Sequence, residues 1–162
     1  MELIKIRSKD ADQLASLVVA FRDQLRAYKG LPAQGDIDGG RQEILDFLNA
    51  GFPVYAVEED GDFVAYLVCR TDEPCLWVEQ LFVVEDYRRR GLAGQLFEKA
   101  EEIARSMGED TVYNFVHPNN KGVIGFLRSR GYTVLNMIEI RKPYRGEKPV
   151  GKISVGKESF DY

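Results

Sequence analysis

The chain has 162 residues, of which 44% are hydrophobic and 30% charged, and its formal net charge is −4. These values fit one soluble globular domain with a real core, so residues 1–162 are read as a single domain. The acidity disfavours the broad basic face that general nucleic-acid binding needs. No apolar run approaches the roughly 18 residues of a membrane span, so neither nucleic acid nor a membrane is an expected partner.

The N-terminal stretch Met1-Glu2-Leu3-Ile4-Lys5-Ile6-Arg7 alternates like a strand and lacks the long apolar core of a signal peptide, so a cytoplasmic location is expected. Leu14, Leu17, Val18, Phe21, Leu25 and Tyr28 then recur at helical spacing, with Ser8 or Asp10 as a cap. The loop Gly30–Asp36 leads to a second helix near 39–50, with Ile44, Leu45 and Leu48 inward and Gly51 as its stop. Pro53–Glu58 and Phe63–Arg70 read as strands joined by the hairpin signal Glu59-Asp60-Gly61-Asp62. Leu76–Val84 is the third strand of this meander, and its non-alternating end, Leu81–Val84, suggests burial on both faces.

The clearest helix follows Gly91, with Leu92, Leu96, Phe97, Ala100, Ile103, Ala104 and Met107 on one stripe and Gly108 closing it. Thr111–Val116 reads as a strand, His117-Pro118-Asn119-Asn120 as a turn, and Asn119 or Asn120 as the cap of a helix that ends at Gly131. Tyr132–Ile140 is expected as a further strand, and the Lys-, Gly- and Pro-rich tail as holding one short strand, Lys152–Val155. A meander followed by alternating helices and strands implies an α/β (α+β) fold with a mixed, mostly antiparallel central sheet and helices on both faces.

Cys69 and Cys75 flank a predicted hairpin turn, so a bridge between them is conceivable, but two free thiols is the better reading for a reducing cytoplasm. With one histidine and no Cys/His cluster, no metal site is expected.

The chemistry concentrates at Arg88-Arg89-Arg90-Gly91-Leu92-Ala93-Gly94, a basic turn from strand to helix. Such a turn aims free N–H groups and the positive end of a helix at one point, a cradle for a phosphate. A dinucleotide fingerprint needs a third glycine, and a Walker loop needs Gly-Lys-Ser or Gly-Lys-Thr; neither is present. The bland alternative is a solvated cluster of arginines, against which the Gly91/Ala93 spacing and flanking elements weigh.

Arg88-x-x-Gly91-x-Ala93 resembles the acetyl-coenzyme A motif of the GNAT superfamily of N-acetyltransferases. The preceding run Val78–Tyr87, and the downstream Asn120…Phe126…Gly131-Tyr132, are similar to the family's flanking signatures. The resemblance implies an acyltransferase that moves an acetyl group from acetyl-CoA, as co-substrate and without a metal, to a primary amine by direct attack in a ternary complex. It implies that the N–H groups around Arg89, Arg90, Gly91, Leu92, Ala93 and Gly94, with Arg88, hold the pyrophosphate. Leu81, Phe82 and Val83 would pair with the pantetheine arm, and a backbone N–H near Val83 would face the oxyanion. Asn120 would contact the cofactor arm. Glu79 would be general base or amine anchor; its alternative is an exposed strand glutamate.

Leu127 departs from the pattern, since many relatives carry a tyrosine there that protonates the leaving thiolate. Tyr113, Tyr132 and Tyr144 are candidate substitutes, and nothing in the sequence selects one. The competing function is a non-catalytic acyl-CoA sensor that keeps the cofactor site without turnover. The acceptor is expected to be a small-molecule amine or an amine of a protein or peptide. Asp36 and Asp38, in the loop between the first helices, are candidate cation-attracting groups. His117 is expected at a structural or rim position and Trp77 as a core or pocket wall. A homodimer is a further expectation, to which Tyr144, Phe160 and Tyr162 of the aromatic tail would contribute.

Overall fold

The structure is a computed structural model that describes residues 1–162. The chain forms two compact units, Met1–Phe126 and Leu127–Tyr162. No helix is long and apolar enough to cross a membrane.

The first unit is built on one five-stranded sheet in the order β1 (Glu2–Lys5), β2 (Val54–Glu59), β3 (Asp62–Asp72), β4 (Cys75–Val83), β5 (Tyr113–Asn114). All neighbours are antiparallel except β4 and β5, which run parallel. The period-2 alternation sends Ala56, Tyr66, Val68 and Phe82 into one cluster with Leu14, Leu17 and Val18 of α1 (Ala11–Tyr28) and Ile44 of α2 (Ile37–Asn49). Their neighbours on the strands turn the other way, where Tyr55 lies 5.6 Å below the Lys99 ammonium of α3 (Leu92–Ser106). The sheet is therefore covered by α1 and α2 on one face and α3 on the other, as the order of elements implied.

Gly40 inside α2 has a packing reason. A Cβ on Gly40 would come within 2.9 Å of both the Ala15 carbonyl oxygen and Val19 Cγ2, so α1 and α2 approach as closely as they do because that side chain is missing. The helix begins two residues earlier than expected because Asp36 caps it, its Oδ1 accepting the Gly39 N–H at 2.9 Å.

Between β3 and β4 the register shifts. Val68 faces Gln80 while Cys69 faces Val78, so Glu79 is an extra residue, a β-bulge. Beyond it β4 parts from β5, which pairs only at Trp77↔Tyr113 and Val78↔Asn114. The expected strand Thr111–Val116 is thus reduced to two residues, because past the bulge it has no ladder to join. The end of β4 is not buried on both faces as expected: along the strand buried and half-buried residues alternate.

The helix α4 (Lys121–Ser129) starts in the first unit, where Asn120 caps it by accepting the Val123 N–H at 3.1 Å. In the second unit its last turn closes at Gly131, and Tyr132 returns its N–H to the Leu127 carbonyl. Tyr132–Ile140 is not the expected strand. No other segment pairs with it, so its β-forming side chains have no ladder, and Val134, Leu135, Met137, Ile138 and Ile140 are exposed. The tail instead forms a hairpin of β6 (Lys152–Val155) and β7 (Glu158–Asp161) around Gly156; β7 was not foreseen.

Candidate active site

The arginine–glycine turn joins β4 to α3. Gly91 is the N-cap with φ +84°, and Arg89 also lies in the left-handed region at φ +64°. That pair of twists curls the chain so that Gln95 is the first residue whose N–H reaches a carbonyl, that of Gly91. The N–H groups from Arg89 to Gly94 are left without a backbone partner at the positive end of a 15-residue helix. No side chain caps this end.

The arginine side chains divide. Arg90 lies 3.9 Å from Glu59 and over the Tyr87 ring. Arg88 turns back along β4: its Nε donates to the Val83 carbonyl at 3.0 Å and its guanidinium sits 5.9 Å from the Phe82 ring. With Ala20, Gln24, Phe82, Val84 and Glu85 it lines a hollow of about 370 Å³.

Backbone direction follows from the register. Val84 N–H bonds the Val64 carbonyl, so Val83, opposite Ala65, has its own N–H and C=O directed away from β3. Two residues back, Leu81 shares that orientation. Phe82 does not: its backbone belongs to the β3 ladder, and its ring packs on Tyr66 at 6.3 Å. Past Val78 no strand pairs with this edge of β4. An unpaired edge and an unpaired N–H cradle therefore follow one another along the chain.

On the α1/α2 side of the bulge lies a polar cluster that the sequence did not announce. Arg22 on α1 donates from Nε to Glu43 Oε2 on α2 at 3.0 Å, and from Nη2 to Glu43 Oε1. Gln80, only 2% exposed, donates its amide to the same Oε1 and accepts the Tyr66 hydroxyl at 2.7 Å. The only sequence signal was Gln80 itself, an amide among the buried positions Leu76, Val78 and Phe82. Burial, followed by the Glu43 charge, pushes the Tyr66 hydroxyl well above its ordinary value, so it stays protonated. The hydrogen bonds that Arg22 donates to Glu43 raise the Arg22 pKa above its ordinary value.

The bulge turns Glu79 toward the same cluster. Its carboxylate lies 3.6 Å from Arg70 Nε, and its charge reaches Arg22. The Arg70 guanidinium carbon is 5.4 Å from the Trp77 ring and 5.5 Å from that of Phe115, two rings stacked 4.6 Å apart. Neither Arg70 Nε nor Trp77 Nε1 has a hydrogen-bond partner, although both atoms are shielded from solvent. Trp77 is half-buried, with Tyr113 against its ring at 4.8 Å.

The remaining candidates have structural posts. Asp36 is a helix cap and Asp38 is exposed in the first turn of α2. His117 stacks on Tyr28 at 5.5 Å, and Asn119 Nδ2 donates to the Tyr28 carbonyl, tying that turn to the end of α1. Partial burial, and then the nearby Lys29 charge, lower the His117 pKa, so the ring is neutral at pH 7. Leu127 is buried and Tyr144 exposed. Cys69 and Cys75 are free thiols; in register they face Val78 and Asp72, not each other, and burial pushes Cys69 up to about 12. No three His, Cys, Asp or Glu side chains converge as metal ligands.

A mixed sheet that parts beside a strand-to-helix N–H cradle defines an acetyltransferase-type fold, and comparison with known proteins bears this out. The profile of the acetyltransferase (GNAT) family matches residues 18–132, and the chain belongs to that family. A curated relative, an uncharacterized N-acetyltransferase from the pepI 3′ region of Lactobacillus delbrueckii subsp. lactis, is 30% identical over 87 residues, 49% of this chain and about half (50%) of the relative's own length. Among solved structures, a ribosomal-protein-alanine N-acetyltransferase from Brucella melitensis superposes with a TM-score of 0.69 at 14% identity, covering 89% of this chain and all (100%) of that one. The PaiA N-acetyltransferase of Thermoplasma acidophilum, solved with coenzyme A, gives 0.66 at 15% identity over 80% of this chain and 87% of that one. At these identities the likeness is one of fold.

Proposed function

We propose that the protein is an acetyl-CoA-dependent N-acetyltransferase that moves the acetyl group directly to a primary amine in a ternary complex. The observation that carries this reading is the continuity of the open β4 edge at Leu81 and Val83 with the unpartnered N–H groups of residues 89–94. The cradle suits a pyrophosphate, and the edge suits an amide-bearing arm that pairs like an added strand. The Thermoplasma relative, solved with coenzyme A, supports the same ligand here. Leu92, Ala93 and Gly94 contribute N–H groups at the helix start. Asn120 uses Oδ1 for its cap and keeps Nδ2 for the arm. Arg88 must leave Val83 when the edge is filled, which frees its guanidinium for phosphate.

In this reading Glu79 takes a proton from the substrate ammonium. The amine lone pair attacks the thioester carbonyl carbon, and the Val83 N–H stabilises the oxyanion. As the C–N bond completes, the nitrogen gives its second proton to water, and the C–S bond breaks with its electron pair leaving on sulfur. Leu127 supplies no proton, so water protonates the thiolate. The products are an acetamide and coenzyme A.

Calorimetry tests the donor site: acetyl-CoA binds the wild type, and Gly91→Glu weakens binding by about 100-fold or more, roughly 2.7 kcal/mol. Gly91→Asn, which tolerates positive φ, separates backbone strain from the clash. Absence of wild-type binding would sink the proposal. Thiol release tests transfer: Glu79→Gln lowers kcat by about 10²-fold or more with acetyl-CoA affinity unchanged. Tight binding without thiol release for any amine would favour the sensor reading, to which Leu127 lends its support.

A further inference from the structure

The polar cluster beside the bulge contains two pairs of opposite charges, and they differ in what they have left to offer. Glu43 is fully engaged: both oxygens accept from Arg22, and Oε1 also accepts from Gln80. Arg22 commits Nε and Nη2 to Glu43, although its side chain is 48% exposed. Arg70 and Glu79 are open. They meet only at 3.6 Å, beyond a hydrogen bond, with side chains 33% and 29% exposed. Arg70 makes no hydrogen bond, and its guanidinium lies over the ring of Trp77, whose Nε1 is a second shielded donor without a partner. A planar guanidinium resting on aromatic rings with its donors unfilled is suited to grip a carboxylate through two parallel bonds.

We propose that the acceptor is a zwitterionic amine, of the α-amino-acid class, held with its carboxylate on Arg70 and its ammonium on Glu79. This rests on the acetyl-transfer reading of the same site and names the substrate class for it. The charge balance supports it. Two carboxylates and two guanidiniums leave the cluster neutral, whereas a polycation would call for carboxylates without resident arginines. An acceptor whose two charges lie one carbon apart meets the Arg70–Glu79 pair head to tail. The ammonium then stands on the group that deprotonates it. A peptide N-terminus, with its carboxyl group turned into an amide, leaves Arg70 unanswered.

Trp77 is the sole tryptophan of the chain and lies under Arg70, so its emission reports on this site without requiring turnover. The experiment titrates the protein with phenylalanine, leucine, lysine and glutamate, each against its own α-carboxamide, with spermidine as the polycation. At least one free amino acid is expected to give a saturable change and to bind at least about tenfold tighter than its amide. Arg70→Gln is expected to shrink that gap to about twofold, with an unchanged circular-dichroism spectrum. If Arg70→Gln does not fold, Arg70→Lys, which keeps the charge but not the fork, is expected to lose most of the gap. An amide that binds as well as its acid, a preference for spermidine, or no saturable change with any amino acid overturns the inference. Acetyl-CoA calorimetry on the same samples separates the two claims. Donor binding without amino-acid discrimination removes only the acceptor class; discrimination without donor binding removes the transfer reading and leaves a zwitterion site.

Discussion

Arg22, Glu43, Gln80 and Tyr66 share one chain of hydrogen bonds that reaches from the half-exposed guanidinium to a buried phenol. Breaking it at its centre is more costly than trimming its end, because a buried amide is then left unpaired. Glu43→Ala is expected to cost about 1–3 kcal/mol, a figure held down by the exposure of Arg22, and urea titration checks it. Cys69 bears on alkaline stability. Burial raises its thiol pKa to about 12 from the ordinary value of 9.0, so the native state holds a proton that the unfolded chain gives up first. Its contribution is complete below pH 9.0 and is lost as the pH climbs toward about 12. The slope approaches about 1.4 kcal/mol per pH unit. Cys69→Val is expected to flatten the stability curve between pH 9.0 and about 10 relative to wild type, measured by denaturant melts. At this scale the sequence was half legible. Glu79 stood out because the family resemblance puts a carboxylate just before the pantetheine-pairing segment, but its partner Arg70 did not, since a bulge brings the two together.

Among the elements, α1, α3 and the β2–β4 meander were readable because each carries its own period, and tertiary contact only reinforces it. Gly91, Asn120 and Asp36 mark helix starts, though Asp36 was first read as a charge rather than as a cap. Two elements failed for one reason: a strand is a relation between segments, not a property of one. Tyr132–Ile140 has strong β-forming residues and no partner, and Thr111–Val116 loses its partner at the bulge. Neither fact is written in the segment itself. The caps give a direct prediction. Asn120→Ala is expected to cost about 1 kcal/mol and Asn120→Asp much less, with thermal melts as the measure. Asp36→Asn, which keeps the cap, is expected to leave both stability and acceptor KM unchanged.

For the whole molecule, family and fold class were visible in one turn and its flanking signatures, whereas the acceptor side was not, because it assembles from α1, α2, β3, β4 and the residues after β5. Exposed apolar side chains from Val134 to Ile140 are a solubility liability. Val134→Lys with Leu135→Lys is expected to raise the concentration at which ammonium sulfate precipitates the protein, while changing stability by no more than about 0.5 kcal/mol. The hydrogen bond from Arg88 to the Val83 carbonyl bears on the same liability. A bare strand edge is a template on which a second molecule can extend the sheet, and a charged side chain laid across it blocks that growth. The arginine is thus a sentinel against polymerisation while the edge waits. Arg88→Ala is expected to form oligomers by light scattering that acetyl-CoA, by filling the same edge, dissolves.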